Sequence, residues 1–303
     1  MIADWENLAE EIDADKLVTF ADVAGLSEVK SFIKDKVLAT SENSDANMVL
    51  LYGLPGTGKT LMAEAIAGEL KAKFYRVSCS NIFTSYVGES GDKLQAVFDS
   101  AYNEEKCVLL FDDFDAVAAK RPDSDSGSQE SDRFMDTFLQ NIDRRNKSSV
   151  NKLMLIVATT NRPWAIDAVM LRGQRIDNQV YVDLPDKKGR ASIIKKALKD
   201  APRSQDFSLK EMVELTEGYS GADVIFACNN ILAVLFGKSL KSRKKEPISR
   251  EDYFRELVGP NGQVKHPSSY VDEERARFEE YAAMQYGGFK HDDGEFTPED
   301  DFN

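Results

Sequence analysis

Eight residues, Gly53-Leu54-Pro55-Gly56-Thr57-Gly58-Lys59-Thr60, do most to limit what this chain can become. They fit Gly-x-x-x-x-Gly-Lys-Thr and follow an apolar run, Met48-Val49-Leu50-Leu51-Tyr52, that reads as a buried strand. After them, 60–70 is rich in Ala, Glu and Leu and reads as a helix. In that order, glycines let the backbone curl so that its N–H groups converge on phosphate oxygens, and the helix aims its positive end at the same place. Lys59 is then placed to reach the β- and γ-phosphates, and the Thr60 hydroxyl to ligate Mg2+. The bland alternative is a glycine-rich turn, and the flanking strand and helix weigh against it.

Around this loop, short apolar runs alternate with helical patterns, which is the signature of a parallel sheet with crossover helices. Strands are expected at 48–52, 74–77, 107–111, 153–157 and 179–182, and helices at 60–70, 92–102 and 133–142. The polar stretch 121–129 reads as a mobile loop. Residues 1–20 suggest a short helix leading in. The strand signal stops after Pro185, and 188–257 carries helical periodicity only. The expected fold is therefore α/β: a P-loop parallel five-stranded sheet with flanking helices, followed by a small α-helical lid domain. The boundaries are 1–18 for the lead, 19–187 for the nucleotide-binding domain and 188–257 for the lid. Residues 258–303 form a linker, a charged helix at 272–285 and an acidic tail expected to be disordered.

The apolar run at 107–111 ends in Asp112 and Asp113. Ligands collect at the carboxyl ends of strands in an open parallel sheet, so these acids belong beside the phosphates. Asp112 is the expected metal-side acid, and Asp113 is placed to orient or deprotonate an attacking water. A solvated acidic turn is the competing reading, and a strand running straight into two acids downstream of a phosphate loop disfavours it.

Composition narrows the partners. The formal net charge of −13 is a poor start for gripping nucleic-acid phosphates. The 3 cysteines (Cys79, Cys107 and Cys228) show no metal-ligand spacing and read as buried small hydrophobes. The N-terminus lacks the pattern of a secretory signal, and no apolar run approaches the ~20 residues a membrane helix needs. A soluble protein of a reducing, cytoplasmic compartment is expected. The 2 histidines, His266 and His291, fall in linker and tail and read as solvent-exposed. The basic run Lys238, Lys241, Arg243, Lys244 and Lys245 reads first as a solvated helix face, and second as a docking site for an acidic partner or anionic surface.

With these residues in hand, 19–257 resembles the AAA family of hexameric ATPases. Thr19-Phe20-Ala21-Asp22-Val23-Ala24-Gly25-Leu26 is similar to the family's lead-in segment, which implies adenine contacts at Val23 and Ala24. Gly53 to Thr60 resembles its Walker A loop, with Leu61 continuing the nucleotide contacts, and Val108 to Asp113 its Walker B strand. Ala158-Thr159-Thr160-Asn161-Arg162-Pro163 is similar to sensor 1, with Asn161 in the polar sensing position. Leu171 to Asp177 resembles the arginine-finger stretch, which implies that Arg172 and Arg175 reach a neighbouring subunit's γ-phosphate. Gly218-Tyr219-Ser220-Gly221-Ala222-Asp223 is similar to the turn where the lid helix meets nucleotide, through Gly221 and Ala222. Ser85-Tyr86-Val87-Gly88 resembles a first pore loop, which implies that Tyr86 and Val87 grip a threaded polypeptide; surface packing of Tyr86 is the plain alternative. The 121–129 loop stands where a second pore loop would be.

The resemblance implies ATP and Mg2+ as ligands, a protein substrate, a homo-oligomer (a hexamer) and an adaptor that recruits substrate. It implies neither nucleic-acid binding nor an integral membrane segment. Residues 268–289 resemble the C-terminal helix of protein-remodelling members such as the valosin-containing protein. Arg275, Phe278, Tyr281 and Ala282 there form a face for a neighbouring subunit, or else a merely solvated helix. The expected function is an ATP-driven unfoldase or disassembly motor, with a slow or non-hydrolysing ATP-binding scaffold as the alternative. Two departures favour that alternative. Asp113 stands where the family usually has Glu, and Asn178 stands where many relatives have a third arginine. Shortening a side chain by one methylene displaces the carboxylate by about 1 Å, enough to cost ~10²-fold in rate, so slow hydrolysis is expected. A DNA-directed loader is a third reading, disfavoured by net charge and by Tyr86.

Overall fold

The computed structural model describes residues 9–38, 48–77, 79, 90–118, 128–146, 152–167, 170–171, 175–176, 178–265 and 272–286. Its chain divides into two compact units. One comprises Met1–Val23, Ser27–Gly53 and Lys59–Val182, and the other Ala24–Leu26, Leu54–Gly58 and Asp183–Asn303.

The first unit is built on six strands: β1 (Ala9–Ile12), β2 (Met48–Tyr52), β3 (Lys73–Val77), β4 (Lys106–Phe111), β5 (Leu153–Thr160) and β6 (Asn178–Tyr181). They lie in the order β1-β3-β4-β5-β2-β6. Every residue of β2 and β5 is buried. Central parallel strands are covered on both faces, which is why they read as unbroken apolar runs. Helices α1 (Ser27–Phe32, continued by a π-helical turn Ile33–Leu38), α2 (Lys59–Leu70), α3 (Ser90–Asn103), α4 (Asp115–Ala118) and α5 (Ser128–Asn146) complete the unit. On one side of the sheet Phe98, Phe111, Phe114, Phe134 and Phe138 form an aromatic cluster with ring centroids 5.1–6.3 Å apart. The α3 and α5 helices are pinned to each other by a Gln95–Asn141 amide pair (2.9 Å) and by Tyr102 Oη donating to Asn141 O at 2.8 Å.

The sheet holds one more strand than the five expected, and the expected leading helix gives way to it. Among residues 1–20 the described part forms β1 and a short 3-10 turn, Ala14–Lys16. β1 runs antiparallel to β3, and Glu10 and Glu11 face Arg76 (3.9 Å) and Lys73 (3.5 Å). A four-residue acidic strand carries little propensity of its own. What holds it is the unpaired edge of β3 and the basic side chains there.

The second unit is helical: α6 (Lys187–Ala197), α7 (Leu209–Leu215), α8 (Gly221–Ser242), α9 (Arg250–Leu257) and α10 (Asp272–Tyr286). Ile194, Leu198, Met212, Val224, Cys228, Ile231 and Tyr253 are buried at its centre. Its helices start on side chains that satisfy orphan backbone N–H groups. Asp186 accepts from Gly189 N (2.6 Å), Ser208 from Glu211 N (3.2 Å) and Ser220 from Asp223 N (3.2 Å). In α10, Phe278 and Ala282 are buried and Arg275 pairs with Asp183 at 3.3 Å. The face expected to meet a neighbouring subunit is therefore covered by this chain itself. α8 is long and apolar enough, by length and composition alone, to cross a membrane, a weak signal that core helices also give. Its Val224, Ala227, Cys228, Ile231 and Leu235 belong to the helical core, while Phe226, Phe236 and Leu240 are exposed. All three cysteines are buried free thiols, and burial pushes Cys79 and Cys228 up to about 12.

Candidate functional site

The carboxyl ends of β4, β5 and β2 are neighbours in the sheet, and the register decides which side chains meet there. Phe111 is level with Ala158, so the residue after each, Asp112 and Thr159, stand side by side as β4 ends. Thr159 Oγ1 donates to Asp112 Oδ1, and Thr60 Oγ1, from the first turn of α2, lies 3.2 Å from Asp112 Oδ2. Two hydroxyls thus fix one carboxylate. Among the described residues no three His, Cys, Asp or Glu side chains converge as a metal cage. A hydroxyl and a single carboxylate are hard oxygen donors, and they suit Mg2+, which keeps waters and phosphate oxygens as its remaining ligands. The expected pair, Thr60 and Asp112, fits the ion.

Asp113 adopts a left-handed backbone conformation, φ +51°. Aspartate tolerates this region better than most residues, and here the turn is tied down on both sides. Asp113 N donates to Thr159 Oγ1 (3.2 Å) and Phe114 N to Thr159 O (2.8 Å). Asp113 is exposed as a residue although its carboxyl is partly desolvated, and Asn161 Nδ2 lies 3.5 Å from its Oδ1. Burial, and then the charges of Asp112 and Asp115, raise its pKa above the ordinary aspartate value, with Lys59 and Arg162 opposing. Asn161 Oδ1 is buried with no hydrogen-bond partner among the described residues. An orphaned acceptor next to a raised carboxyl suits a site that completes its hydrogen bonds with a ligand.

Lys59, the first residue of α2, is buried, and its Nζ donates to Gly53 O at 3.0 Å. Desolvation lowers its pKa to about 8, against the pull of Asp112, Asp113 and Asp115, so the ammonium form predominates at neutral pH. Gly53 has φ +151°, and a Cβ there would stand 2.2 Å from the carbonyl oxygen of Val182. Only glycine lets β2 turn into the loop this close to β6.

Within the second unit, the loop Leu54–Gly58 is closed by Thr57 Oγ1 donating to Leu54 O at 2.9 Å. Gly56 (φ +77°) packs on the start of α8: Ala222 N donates to Gly56 O at 3.1 Å, and a Cβ on Gly56 would fall 2.7 Å from Ser220 Oγ. Gly58 (φ +96°) has open space where a Cβ would be, so its left-handed backbone, not crowding, is what favours glycine there. Gly221 is thus part of the same contact. Gly25 (φ +64°) abuts Gly189, 2.8 Å from its hypothetical Cβ to Gly189 Cα, which brings the Ala24–Leu26 segment against α6. In the first unit, Val23 is buried and its carbonyl accepts from Lys30 Nζ.

The family model described as "ATPase family associated with various cellular activities (AAA)" matches residues 49–184. This chain carries an AAA-family ATPase domain. It is 38% identical over 241 residues to a protein of Plasmodium falciparum (isolate 3D7) whose name is that of a cell division cycle ATPase; the match covers 76% of this chain. The chain spans only 19% of that relative's length. Its fold is similar to that in the crystal structure of the FIGL-1 AAA domain in complex with ADP, with TM-score 0.73, 22% identity, and 92% and 94% of the two chains covered.

Within the AAA domain, then, Lys59, Thr60, Asp112, Asp113 and Asn161 come together at the sheet end, and Gly56 of the loop meets Gly221 and Ala222. Leu61 is 40% exposed on α2. Arg175 is half-buried and pairs with Asp143 of α5 at 3.8 Å. Arg172, Tyr86 and Val87 lie outside the described residues, as do the 121–129 loop up to residue 127, both histidines and the acidic tail. Thr159, which orders both aspartates, is a site residue that spacing alone does not single out; its only sequence signal is a hydroxyl next to the end of β5.

Proposed function

We propose that this chain is the motor domain of a protein-remodelling ATPase, hydrolysing ATP slowly between subunits of a homo-oligomeric ring, a hexamer. The observation that carries the reading is Asp112 held by the Thr60 and Thr159 hydroxyls beside the Asp113–Asn161 pair. Lys59 and the backbone N–H groups from Gly56 to Thr60 take the β- and γ-phosphates. Thr60 and Asp112 hold Mg2+, which supplies charge neutralisation on those phosphates when bound. Asp113 accepts a hydrogen bond from the attacking water and receives its proton, and Asn161 fixes the orientation of that water or of the γ-phosphate. The raised pKa of Asp113 moves it towards the range in which a carboxylate is a useful base.

Val23 and Ala24 contact the adenine, and Gly221 and Ala222 carry the state of the phosphate loop to α8. Arg172 and Arg175 act on the neighbouring subunit's γ-phosphate; for Arg175 that requires exchange of its Asp143 partner. Tyr86 and Val87 line the pore and grip polypeptide, and an adaptor brings the protein substrate. The placement is cytoplasmic.

A second reading, an ATP-binding scaffold that assembles without turning over, is favoured by Asp113 in place of the usual Glu. Phosphate release with Mg-ATP, measured with and without an unfolded polypeptide, separates the two. The motor reading expects slow turnover that polypeptide stimulates. Tight ATP binding with no turnover, in both the wild type and Asp113→Glu, would establish the scaffold instead.

A further inference from the structure

Asp115 is a carboxylate that the chemistry above does not use. It opens α4 and is 6% exposed. Three donors from the end of β5 converge on it: Thr160 Oγ1 reaches Oδ1 at 2.6 Å, and Arg162 reaches Oδ2 through Nε at 2.8 Å and Nη2 at 2.7 Å. Arg162 N also donates to Thr160 Oγ1 at 2.9 Å, which closes a ring. Burial and the bound guanidinium leave Asp115 poorly placed to serve as a base or a metal ligand. Its Arg162 partner is an exposed side chain, 62% accessible, that reaches inward with its guanidinium fork.

The position of this ring matters more than its existence. Thr160 and Arg162 flank Asn161, the residue whose Nδ2 faces Asp113 and whose Oδ1 is buried without a partner among the described residues. Asn161 is therefore strung between two residues clamped to the same buried carboxylate. An ion pair that only stabilised α4 could reach it from any direction. Here both ends of a three-residue span are fixed with Asn161 between them.

We propose that Asp115 and Arg162 are positioning residues: their clamp fixes Asn161 so that its amide meets the reacting groups at Asp113, and it governs turnover without contributing to nucleotide affinity. This rests on the ATPase reading. A side chain displaced by about 1 Å at such a site can cost ~10²-fold, so a clamp of this kind has leverage on rate. A bidentate fork is also something lysine cannot reproduce.

The test uses the full chain and the variants Asp115→Asn, Arg162→Ala, Arg162→Lys and Asn161→Ala, with each of the first two also combined with Asn161→Ala. We expect Asp115→Asn and Arg162→Ala to lower kcat at least ~tenfold. Affinity for a fluorescent ATP analogue should stay within about twofold of wild type. Arg162→Lys should recover part of the loss. In the Asn161→Ala background neither substitution should lower kcat further, because the clamp then has nothing left to position. Full turnover in Asp115→Asn and Arg162→Ala, or losses that multiply with Asn161→Ala, would overturn the proposal. A fall in turnover matched by an equal fall in folded fraction would do the same. The side-chain amide resonance of Asn161 gives a readout independent of hydrolysis. It should shift in Asp115→Asn even if the wild type proves to be a non-hydrolysing scaffold, and an unchanged resonance would sink the clamp while leaving the ATPase reading intact.

Discussion

Aspartates occupy two kinds of place in this protein, and the two are furnished differently. In the helical unit, Asp223 and Asp252 stand in the first turns of α8 and α9, and each closes a ring with the serine three residues before it. Asp223 Oδ2 accepts from Ser220 N (3.1 Å) and Ser220 Oγ (2.6 Å); Asp252 Oδ2 accepts from Ser249 N (3.0 Å) and Ser249 Oγ (2.7 Å), while its Oδ1 takes Lys238. Apart from Lys238 of α8, their partners come from their own helix ends, and their effect is to fix where helices begin. At the end of β4, Asp112 and Asp113 take their partners from another strand and another helix, one of them sits at φ +51°, and the neighbouring Asn161 keeps an oxygen unsatisfied among the described residues. A carboxylate that closes on its own backbone holds structure. One that depends on distant hydroxyls, with bonding capacity to spare nearby, is arranged for something that arrives.

If that contrast is right, substitutions in the two regions must fail in different ways. The largest effect should follow Asp112→Ala, which removes the metal-side carboxylate. Phosphate release should fall by about 10²–10³-fold while the thermal midpoint moves little. Next comes Asp113→Glu, which restores the longer reach. Steady-state turnover should rise by roughly 10- to 100-fold, and a fall would show that the turn at this position is built for the shorter acid.

In the helical unit, Asp252→Asn should cost about 1–2 kcal/mol of stability in a denaturant titration and leave kcat per folded molecule unchanged. Its pH dependence sharpens the contrast. Burial alone would raise the pKa of Asp252, but Lys238 and Ser249 outweigh burial and leave it lowered. A lowered carboxylate contributes stability that is present above its unfolded value near 3.8 and lost as pH falls through the folded one. The wild type should therefore lose this increment in strong acid, and the Asn variant should lack it at every pH. The smallest effect is expected at Phe236→Ser, on the 66% exposed face of α8, where stability should change by no more than about 0.5 kcal/mol.

The central strands were legible in the sequence because burial on both faces leaves no polar residue to blur them. β1 was not: Ala9-Glu10-Glu11-Ile12 is too short and too acidic to announce a strand, and its stability comes from an edge 60 or more residues away in sequence. The phosphate loop, Thr60, Asp112 and Asp113 could be read from spacing alone, since the order strand, loop, helix and strand, acids fixes their side of the sheet. Thr159, Thr160, Asp115 and Arg162 could not be given roles that way. Their contacts depend on the register of β4 against β5, which brings Phe111 level with Ala158 and which no local pattern encodes. The α10 face illustrates another limit: periodicity shows that Phe278 and Ala282 share a side of the helix, and only the fold shows that their own chain covers it.

Equilibrium binding of a fluorescent ATP analogue in Mg2+ to the wild type and to Lys59→Ala tests the central claim most directly. Losing the buried ammonium should weaken affinity by roughly 10- to 100-fold, the cost of one charge-assisted hydrogen bond to phosphate. Equal affinity in the two proteins, with both fully folded, would mean that nucleotide does not sit on this loop and would contradict the account.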